Sequence, residues 1–377
     1  MINKIYNILK ANFNFSHLFY SLLFSSFFLF GGFEQHNMSF FIYIIIFSLI
    51  FIISTFFSKN NIKIPSGFLI YIFFLVTLAI HTIISPRLDV NAKNVFLYLI
   101  GGLVWLVFFN LHKPQKTLSL ILILVGLLFI GVFFYQKIIG INTNATTFGL
   151  DNYAFGTHIY LADLWSVIII IPIYNLFHRD KRTIYNTILL VIGLTIIAAS
   201  YSRSALFSLI GVIFYLSENI YISTIPKSIK LLRIIIYLII LFILIVFSMQ
   251  KSLLNSRPYF RQALIGFTKY PLGVGVGNFY KISQDTSNSF ISSADTSFLV
   301  HNIVLEFLSG MGIFSITFIL WLFYEINTIF KNVAKNNLLA RCIFIAITIN
   351  FMFNSVYAIP TMLWLWFAAL GSTQTEQ

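Results

Sequence analysis

The sequence predicts an all-α polytopic membrane protein with about twelve transmembrane helices. Only 9% of its 377 residues are charged and 59% are hydrophobic, whereas soluble proteins carry roughly 25% charged residues. Phenylalanine alone occurs 44 times. Apolar runs of about 20 residues, the length that crosses a bilayer, recur along the chain. No compact soluble fold of this length hides so much apolar surface, so we expect residues 1–377 to form a single membrane domain with lipid as its solvent.

The apolar runs define the predicted transmembrane spans. The first run follows Lys4 and Lys10 and lacks a small-x-small cleavage site, which indicates an uncleaved first helix. The last two runs are short and are joined by a tight turn at Tyr357–Pro360. The spans are placed near residues 14–33, 39–57, 66–85, 93–110, 118–137, 158–177, 184–200, 204–221, 234–250, 300–324, 341–355 and 357–371.

The distribution of lysine and arginine predicts that both termini are cytoplasmic. With the N-terminus inside, the cytoplasmic segments hold 15 of these cations and the short external connections hold 4. Short loops rich in cations stay in the cytoplasm, so twelve spans give an N-in, C-in topology. The net charge of +13 therefore indicates topology signals and contact with anionic membrane lipid, and no nucleic-acid partner.

Two external segments are long enough to carry function: a smaller loop over residues 136–157 and a large loop over residues 251–299, between the ninth and tenth spans. In the large loop, residues 261–267 are predicted to form a short amphipathic helix. Gly273, Gly275 and Gly277 allow a tight turn and close approach of another segment. Their spacing does not fit a dinucleotide-binding fingerprint, which also needs a βαβ unit.

Arg203 and His301 are the candidate reactive residues nearest to predicted span ends. Arg203 lies at the external end of the eighth span, where it either snorkels to the interface or binds an anion through its guanidinium. His301 lies where the large loop meets the tenth span. It is either a hydrogen-bonded core residue or a base that accepts a proton near neutral pH. Glu306, five residues further on, is assigned a structural role.

Other catalytic patterns are missing from the sequence. The eleven acidic residues are scattered, and Cys342 is the single cysteine, so no cysteine-based metal site is expected and Cys342 is interpreted as a packing residue. Neither a phosphate-binding P-loop nor a Gly-x-Ser-x-Gly elbow occurs. The candidates that remain are arginines, His301 and polar amides. They suit a reaction whose leaving group is already a diphosphate, since such a reaction needs charge stabilisation, a base and positioning.

These segments resemble the O-antigen ligase and O-antigen polymerase superfamily of bacterial envelope glycosyltransferases. The resemblance is carried by Thr147-Phe148-Gly149, Ser200–Leu206, Arg257–Phe279 and the HN-x-x-L-E-x-x-x-x-x-G pattern from His301 to Gly312. The last three segments are specific. Over the first hundred residues the likeness is one of architecture only.

The resemblance implies a metal-independent, inverting membrane glycosyltransferase that uses no cofactor. Its donor would be a glycan on undecaprenyl diphosphate, and its active site would face the periplasm from the inner membrane of a Gram-negative bacterium. Arg203 and Arg257 match the family's diphosphate-binding arginines, with Arg261 a close second to Arg257. His301 matches the histidine that activates the acceptor hydroxyl. The large periplasmic loop is short here, about fifty residues, so acceptor recognition is expected to differ from that of better-known members.

Three functions remain open, the first two of them implied by the resemblance. A ligase would transfer finished O-antigen to lipid A-core, and the His301-Asn302 pair favours it. A polymerase would join repeat units between two undecaprenyl diphosphate carriers. The sixteen-residue spacing from Arg257 to Gly273 is similar to an Arg-to-Gly motif of some polymerases. A flippase or other transporter would need a buried polar path, for which only His158 and Asp163 are hints.

Overall fold

The computed structural model describes Leu22 and residues 62–85, 88–111, 113–138, 158–177, 183–221, 258–290, 297–331 and 337–375, and this part of the chain is all-helical. Its α-helices are α1 (Phe68–Ile84), α2 (Leu88–Asn110), α3 (Pro114–Ile138), α4 (His158–Ile168), α5 (Ile170–Phe177), α6 (Thr183–Ser200), α7 (Arg203–Tyr221), α8 (Pro258–Lys269), α9 (Phe279–Phe290), α10 (Ile303–Met311), α11 (Ile316–Lys331), α12 (Leu338–Phe353) and α13 (Pro360–Gln374). Two 3₁₀ turns, Gly312–Ser315 and Ser355–Ala358, precede α11 and α13.

Each predicted span that falls on described residues overlaps one or two helices. Four segments are long and apolar enough to cross a membrane: Ala92–Asn110, Pro114–Val132, Ile159–Phe177 and Ile303–Lys331. Phe68–Ile83, Ile184–Ser200 and Leu338–Phe353 are shorter apolar helices. The predicted spans 39–57 and 234–250 lie outside the described residues, as does 14–33 apart from Leu22. The described chain is therefore compatible with a helical membrane protein, while the total of twelve spans and the sidedness stay predictions.

Helix α13 is the centre of the bundle. Every residue from Pro360 to Thr373 is buried, although this segment was predicted only as a short terminal span. It packs most extensively on α2 and also on α12 and α3. An aromatic cluster around Trp321 fills the space beside it, with the ring of Phe367 stacked 5.7 Å from that of Trp321. Pro360 begins α13, where its missing N–H costs no helical hydrogen bond.

Two predicted spans differ from single regular helices. The span predicted at 300–324 is interrupted at Gly312, which has a φ of 57°, and α10 and α11 follow one another across the 3₁₀ turn. A Cβ on Gly312 would lie 2.0 Å from the carbonyl oxygen of Pro271, so only glycine fits beside the loop there. At 158–177 the break at Ile169 is slight, because Ile169 N–H still donates to Trp165 at 3.0 Å. Pro172 lacks the N–H that would reach back to Ile168.

The described part of the large loop, residues 258–290 and 297–299, contains two helices rather than one. The predicted amphipathic helix is confirmed and extended as α8, which buries Pro258, Gln262, Ala263 and Gly266 on one face. Helix α9 was not anticipated, since its sequence is largely polar. Together with Val274 and Val300, buried residues of α8 and α9 form a small apolar core separate from the main one.

The glycine-rich turn between α8 and α9 packs into the break between α10 and α11. Gly275 N–H donates to the carbonyl of Gly310 at 2.7 Å, and Ile313 N–H donates to Pro271 at 2.9 Å. Gly273 has a φ of 83°, and a Cβ there would lie 2.2 Å from the carbonyl oxygen of Gly310. The expected close approach of another segment is therefore observed, and that segment is the broken membrane helix.

Candidate functional site

Four helix ends meet around one buried carboxylate, that of Asp163. Helix α4 contributes Asp163 itself, one turn from its start, and the turn into α7 contributes Ser202 and Ser204. Asn354 follows the last residue of α12, and His301 precedes α10 by two residues. These ends belong to segments up to 191 residues apart in the sequence, so only the tertiary fold brings them together.

Hydrogen bonds fully engage the Asp163 side chain. Its Oδ1 accepts from Ser204 Oγ at 2.6 Å and from Ser202 Oγ at 3.1 Å. Its Oδ2 accepts from Asn354 Nδ2 at 2.6 Å. The Asp163 side chain has no exposed surface. A buried charge is stable in such a place only when it is surrounded by donors, and three side-chain donors serve that purpose here.

A second layer of amides and hydroxyls supports this network from beneath. Asn350, one turn before Asn354 on α12, donates to the Asp163 backbone carbonyl at 3.2 Å and to Ser166 Oγ at 3.1 Å. Ser208 of α7 donates to Ser166 Oγ at 2.9 Å. Helices α4, α7 and α12 are thus joined by polar contacts over more than one helical turn, which fixes their relative positions.

Arg203 is the first residue of α7 and lies between the two serines that bind Asp163. Its side chain is half-buried, and among the described residues none forms a hydrogen bond or ion pair with its guanidinium. The preceding Tyr201 is 81% exposed, which puts this turn at the surface of the bundle. The N-terminus of a helix carries a partial positive charge, so the guanidinium and the helix end together favour an anion.

His301 is held in an unusual backbone conformation at the entrance to α10. Its φ is 61°, a region that non-glycine residues seldom occupy and that is found at functional sites more often than elsewhere. Its Nδ1 lies 3.4 Å from Asn354 Oδ1. Its ring stacks on that of Tyr259 with centroids 5.5 Å apart, so α8 of the large loop covers one face of the imidazole.

The next residue, Asn302, explains the local conformation of the His-Asn pair. Its side-chain oxygen accepts from Leu305 N–H at 2.9 Å and so caps α10. Its amide nitrogen donates to the Met352 carbonyl at 2.9 Å near the end of α12. N-capping asparagines have extended backbones that start a helix. Asn302 therefore fixes where α10 begins and holds His301 beside α12.

Glu306 has the structural role that the sequence suggested. Its Oε1 accepts from Gly277 N–H at 3.0 Å, and its Oε2 accepts from Val300 N–H at 3.1 Å and from Tyr357 O–H at 3.0 Å. Gly277 precedes α9 and Val300 follows it. One buried carboxylate therefore holds both ends of this half of the large loop against the helix that follows His301.

Of the other two predicted arginines, the structure describes one. Arg261 is an exposed residue of α8, two positions beyond the Tyr259 that covers His301. Arg257, the residue before α8 in the sequence, lies outside the described residues. So do Thr147-Phe148-Gly149 and most of the smaller loop. Arg203 and His301 are thus linked by hydrogen-bonded neighbours, and Arg261 belongs to the helix that lies over His301.

No local pattern in the sequence links Asp163 and Asn354 to this site. The sequence marks Asp163 only as a hint of a polar path and does not mark Asn354. An aspartate and an asparagine inside apolar runs are nevertheless signals, because a polar side chain in a membrane helix is costly unless it has a partner. What the sequence lacks is the pairing, which depends on how the helices pack.

Comparison of the chain with protein-family models, curated protein sequences and solved structures gives no match.

Proposed function

We propose that this chain is an O-antigen ligase of the inner membrane of a Gram-negative bacterium. It would transfer polysaccharide from undecaprenyl diphosphate to lipid A-core on the periplasmic face. The observation that carries the proposal is the union of the Arg203 turn and His301 in a single hydrogen-bonded network at one end of the bundle. One part of this network favours an anion and the other holds an imidazole.

The proposed reaction needs only groups of these kinds. The oxygen of the acceptor hydroxyl attacks the anomeric carbon of the donor sugar and forms the new glycosidic bond. The bond from that carbon to the diphosphate oxygen breaks, and its electron pair leaves with undecaprenyl diphosphate. His301 accepts the hydroxyl proton as general base. Attack from the face opposite the leaving group inverts the anomeric configuration.

The arginines would stabilise the leaving group. Guanidinium groups form paired, charge-assisted hydrogen bonds with phosphate oxygens. Arg203 at the N-terminus of α7 has the required charge and the half-buried position. Arg261 of α8 would add a second guanidinium, and Arg257, the residue before α8 in the sequence, would add a third. Electrostatic stabilisation of developing charge in a water-poor site is commonly the largest contribution to catalysis.

O-antigen polymerase is the second candidate, and the Arg257-to-Gly273 spacing favours it. Both activities use the same donor chemistry and differ in the acceptor, which is lipid A-core for the ligase and a second lipid-linked glycan for the polymerase. Arg203 and His301 would serve both activities in the same way, so identifying the acceptor by experiment distinguishes the two candidates.

Deletion of the gene in its host tests the proposal. Lipopolysaccharide and undecaprenyl-linked glycan are analysed on gels, with the deletion complemented by the wild-type chain, by His301→Ala or by His301→Gln. The ligase proposal predicts bare lipid A-core, long O-chains accumulating on the carrier, and rescue by the wild type but by neither variant.

Two other results would redirect the proposal. Lipid A-core capped by a single repeat unit would identify a polymerase. An unchanged lipopolysaccharide ladder on the gel would reject both activities for this polysaccharide. The transporter hypothesis would then be favoured. Membrane levels of each variant, measured by immunoblot, separate loss of activity from loss of protein.

A further inference from the structure

We propose that Asp163 and Asn354 form a relay that orients His301, selects its tautomer and stabilises its charged form, with Asp163 a positioning residue coupled to the Arg203 turn. This inference rests on the proposed glycosyl transfer, in which His301 is the base. It assigns a role in the site to a carboxylate buried inside a membrane helix.

The hydrogen bonds of the Asn354 amide determine its orientation. Its Oδ1 lies 2.8 Å from Ser355 N–H, and a backbone N–H can only donate. The atom facing Ser355 is therefore the amide oxygen. The other amide atom, Nδ2, then faces Asp163 Oδ2 at 2.6 Å, where a carboxylate accepts it. Both partners require the same orientation, so the amide cannot flip without losing two hydrogen bonds.

The orientation of Asn354 determines the tautomer of His301. The imidazole Nδ1 lies 3.4 Å from the Asn354 oxygen, which is an acceptor, so Nδ1 must carry the hydrogen. In the neutral ring Nε2 is then the basic nitrogen, the one that can take a proton from a hydroxyl. The contact is long, and catalytic hydrogen bonds often shorten only when substrate is bound.

The Asp163 carboxylate adds a negative charge behind the His301–Asn354 pair. When His301 takes a proton, the imidazolium is balanced by Asp163, which lies behind Asn354 along the relay. The contacts of 2.6 and 3.4 Å on either side of the Asn354 amide, with the width of the amide itself, put the two charges at most about 8 Å apart. At that distance and an effective dielectric constant of about 20, a unit charge alters an equilibrium by roughly 30-fold. Neutralising Asp163 is therefore expected to lower the rate of proton transfer by about that factor.

The same carboxylate also binds the residues on either side of Arg203. Ser202 and Ser204 both donate to Asp163 Oδ1, while Asn354 donates to Oδ2. The base and the diphosphate-binding turn are thus positioned against the two oxygens of one group. A shift of α4 would move both, so Asp163 sets their separation.

Single and double substitutions separate this role from simple packing. Asp163→Asn keeps the volume and still satisfies the serines and Asn354, but removes the charge. The exchange Asp163→Asn with Asn354→Asp puts the carboxylate next to His301. The residue 163 amide then donates to it and accepts from the serines. Ser372→Ala is the matched control, since it removes another fully buried hydroxyl, one whose hydrogen bond to the Ala368 carbonyl stays within α13.

The experiment uses the full-length protein, purified in detergent, with undecaprenyl-diphosphate glycan as donor and lipid A-core as acceptor. Asp163→Asn is expected to lower kcat by roughly 30-fold with little change in KM, and the exchange is expected to restore most of it. Ser372→Ala is expected to keep the wild-type kcat. Asp163→Asn with wild-type kcat, or an exchange no more active than Asp163→Asn, would overturn the relay.

Nitrogen-15 NMR of histidine-labelled protein supplies a readout that does not depend on turnover. The His301 signals, assigned by difference from His301→Gln, are expected to show the Nδ1–H tautomer in the wild type and its loss in Asn354→Leu. A wild-type Nε2–H tautomer would overturn the relay. If the wild type makes no product but shows the Nδ1–H tautomer, the proposed function fails while the relay geometry stands.

Discussion

Glu306→Gln tests how the large loop is fastened to the membrane helices. The carboxylate accepts three hydrogen bonds, from Gly277, Val300 and Tyr357. In glutamine one of its two oxygens becomes an NH₂ group. The Tyr357 hydroxyl can turn and accept from that group, but a backbone N–H cannot. Whichever way the amide points, either Gly277 N–H or Val300 N–H faces a donor.

The expected cost follows from that count. A buried donor without an acceptor costs about 1–3 kcal/mol, and the remaining bonds lose the strength that a charged acceptor gave them. Relief of the buried charge offsets part of this, so we expect the loop to be destabilised by about 2 kcal/mol. That free energy corresponds to a roughly 30-fold larger equilibrium constant for local opening of the loop, and so to roughly 30-fold faster hydrogen exchange there.

Hydrogen exchange measured by mass spectrometry in detergent or nanodiscs is the assay. Peptides covering residues 270–300 are expected to exchange faster in Glu306→Gln, while peptides from α12 and α13 are unchanged. Glu325→Gln is the matched control, since Glu325 is also buried in a membrane helix but binds Gln374 rather than the loop. Unchanged loop protection in Glu306→Gln, or equal loss in both variants, would refute the reasoning.

Three further outcomes are expected. Arg203→Ala abolishes transfer in the purified assay without changing membrane insertion. Arg203→Lys keeps only part of the activity, because a single ammonium cannot bind phosphate through a planar fork. Full activity of Arg203→Ala would show that Arg203 is not part of the site. Gly273→Ala lowers stability by about 2 kcal/mol in thermal melts, since its positive φ and its contact with Gly310 are both unfavourable for alanine. Gly131→Ala, which would meet no atom within 4 Å, is its neutral control. Addition of a chelator leaves the activity of the purified protein intact; loss of activity that a divalent metal restores would contradict the metal-independent mechanism.

The helical architecture is readable from the sequence because its signal is local. A run of apolar residues at 184–200 predicts a helix without knowledge of its neighbours, and Thr183–Ser200 is that helix. The tight turn predicted at Tyr357–Pro360 is likewise a 3₁₀ turn over Ser355–Ala358 followed by Pro360. Hydropathy and proline chemistry act over a few residues, so one sequence is enough to locate them.

The breaks and the polar loop helix were not readable in the same way. Gly312 interrupts the tenth span because the loop carbonyl of Pro271 occupies the space a side chain would need. That contact joins segments forty residues apart and leaves no mark in the hydropathy. Helix α9 is polar and is buried on one face by α8 and by residues near Val300, so its stability comes from tertiary packing rather than from its own composition.

The candidate site was predictable in its half-buried members and not in its fully buried ones. Arg203 and His301 stand out as polar residues at the ends of apolar runs. Asp163 and Asn354 carry no such mark of partnership, since the hydrogen bond between them spans 191 positions in the sequence. Which oxygen of Asp163 faces which helix depends on packing that a single sequence does not encode in any local pattern.

The most direct test of the proposed function is transfer by the purified protein. The wild-type chain and His301→Ala are each incubated with undecaprenyl-diphosphate-linked O-antigen and lipid A-core, and the products are separated on gels and identified by mass spectrometry. We predict that the wild type forms lipid A-core bearing O-antigen with release of undecaprenyl diphosphate, and that His301→Ala forms none. Absence of product from well-folded wild-type protein, or equal product from His301→Ala, would contradict the assignment of this site to glycosyl transfer.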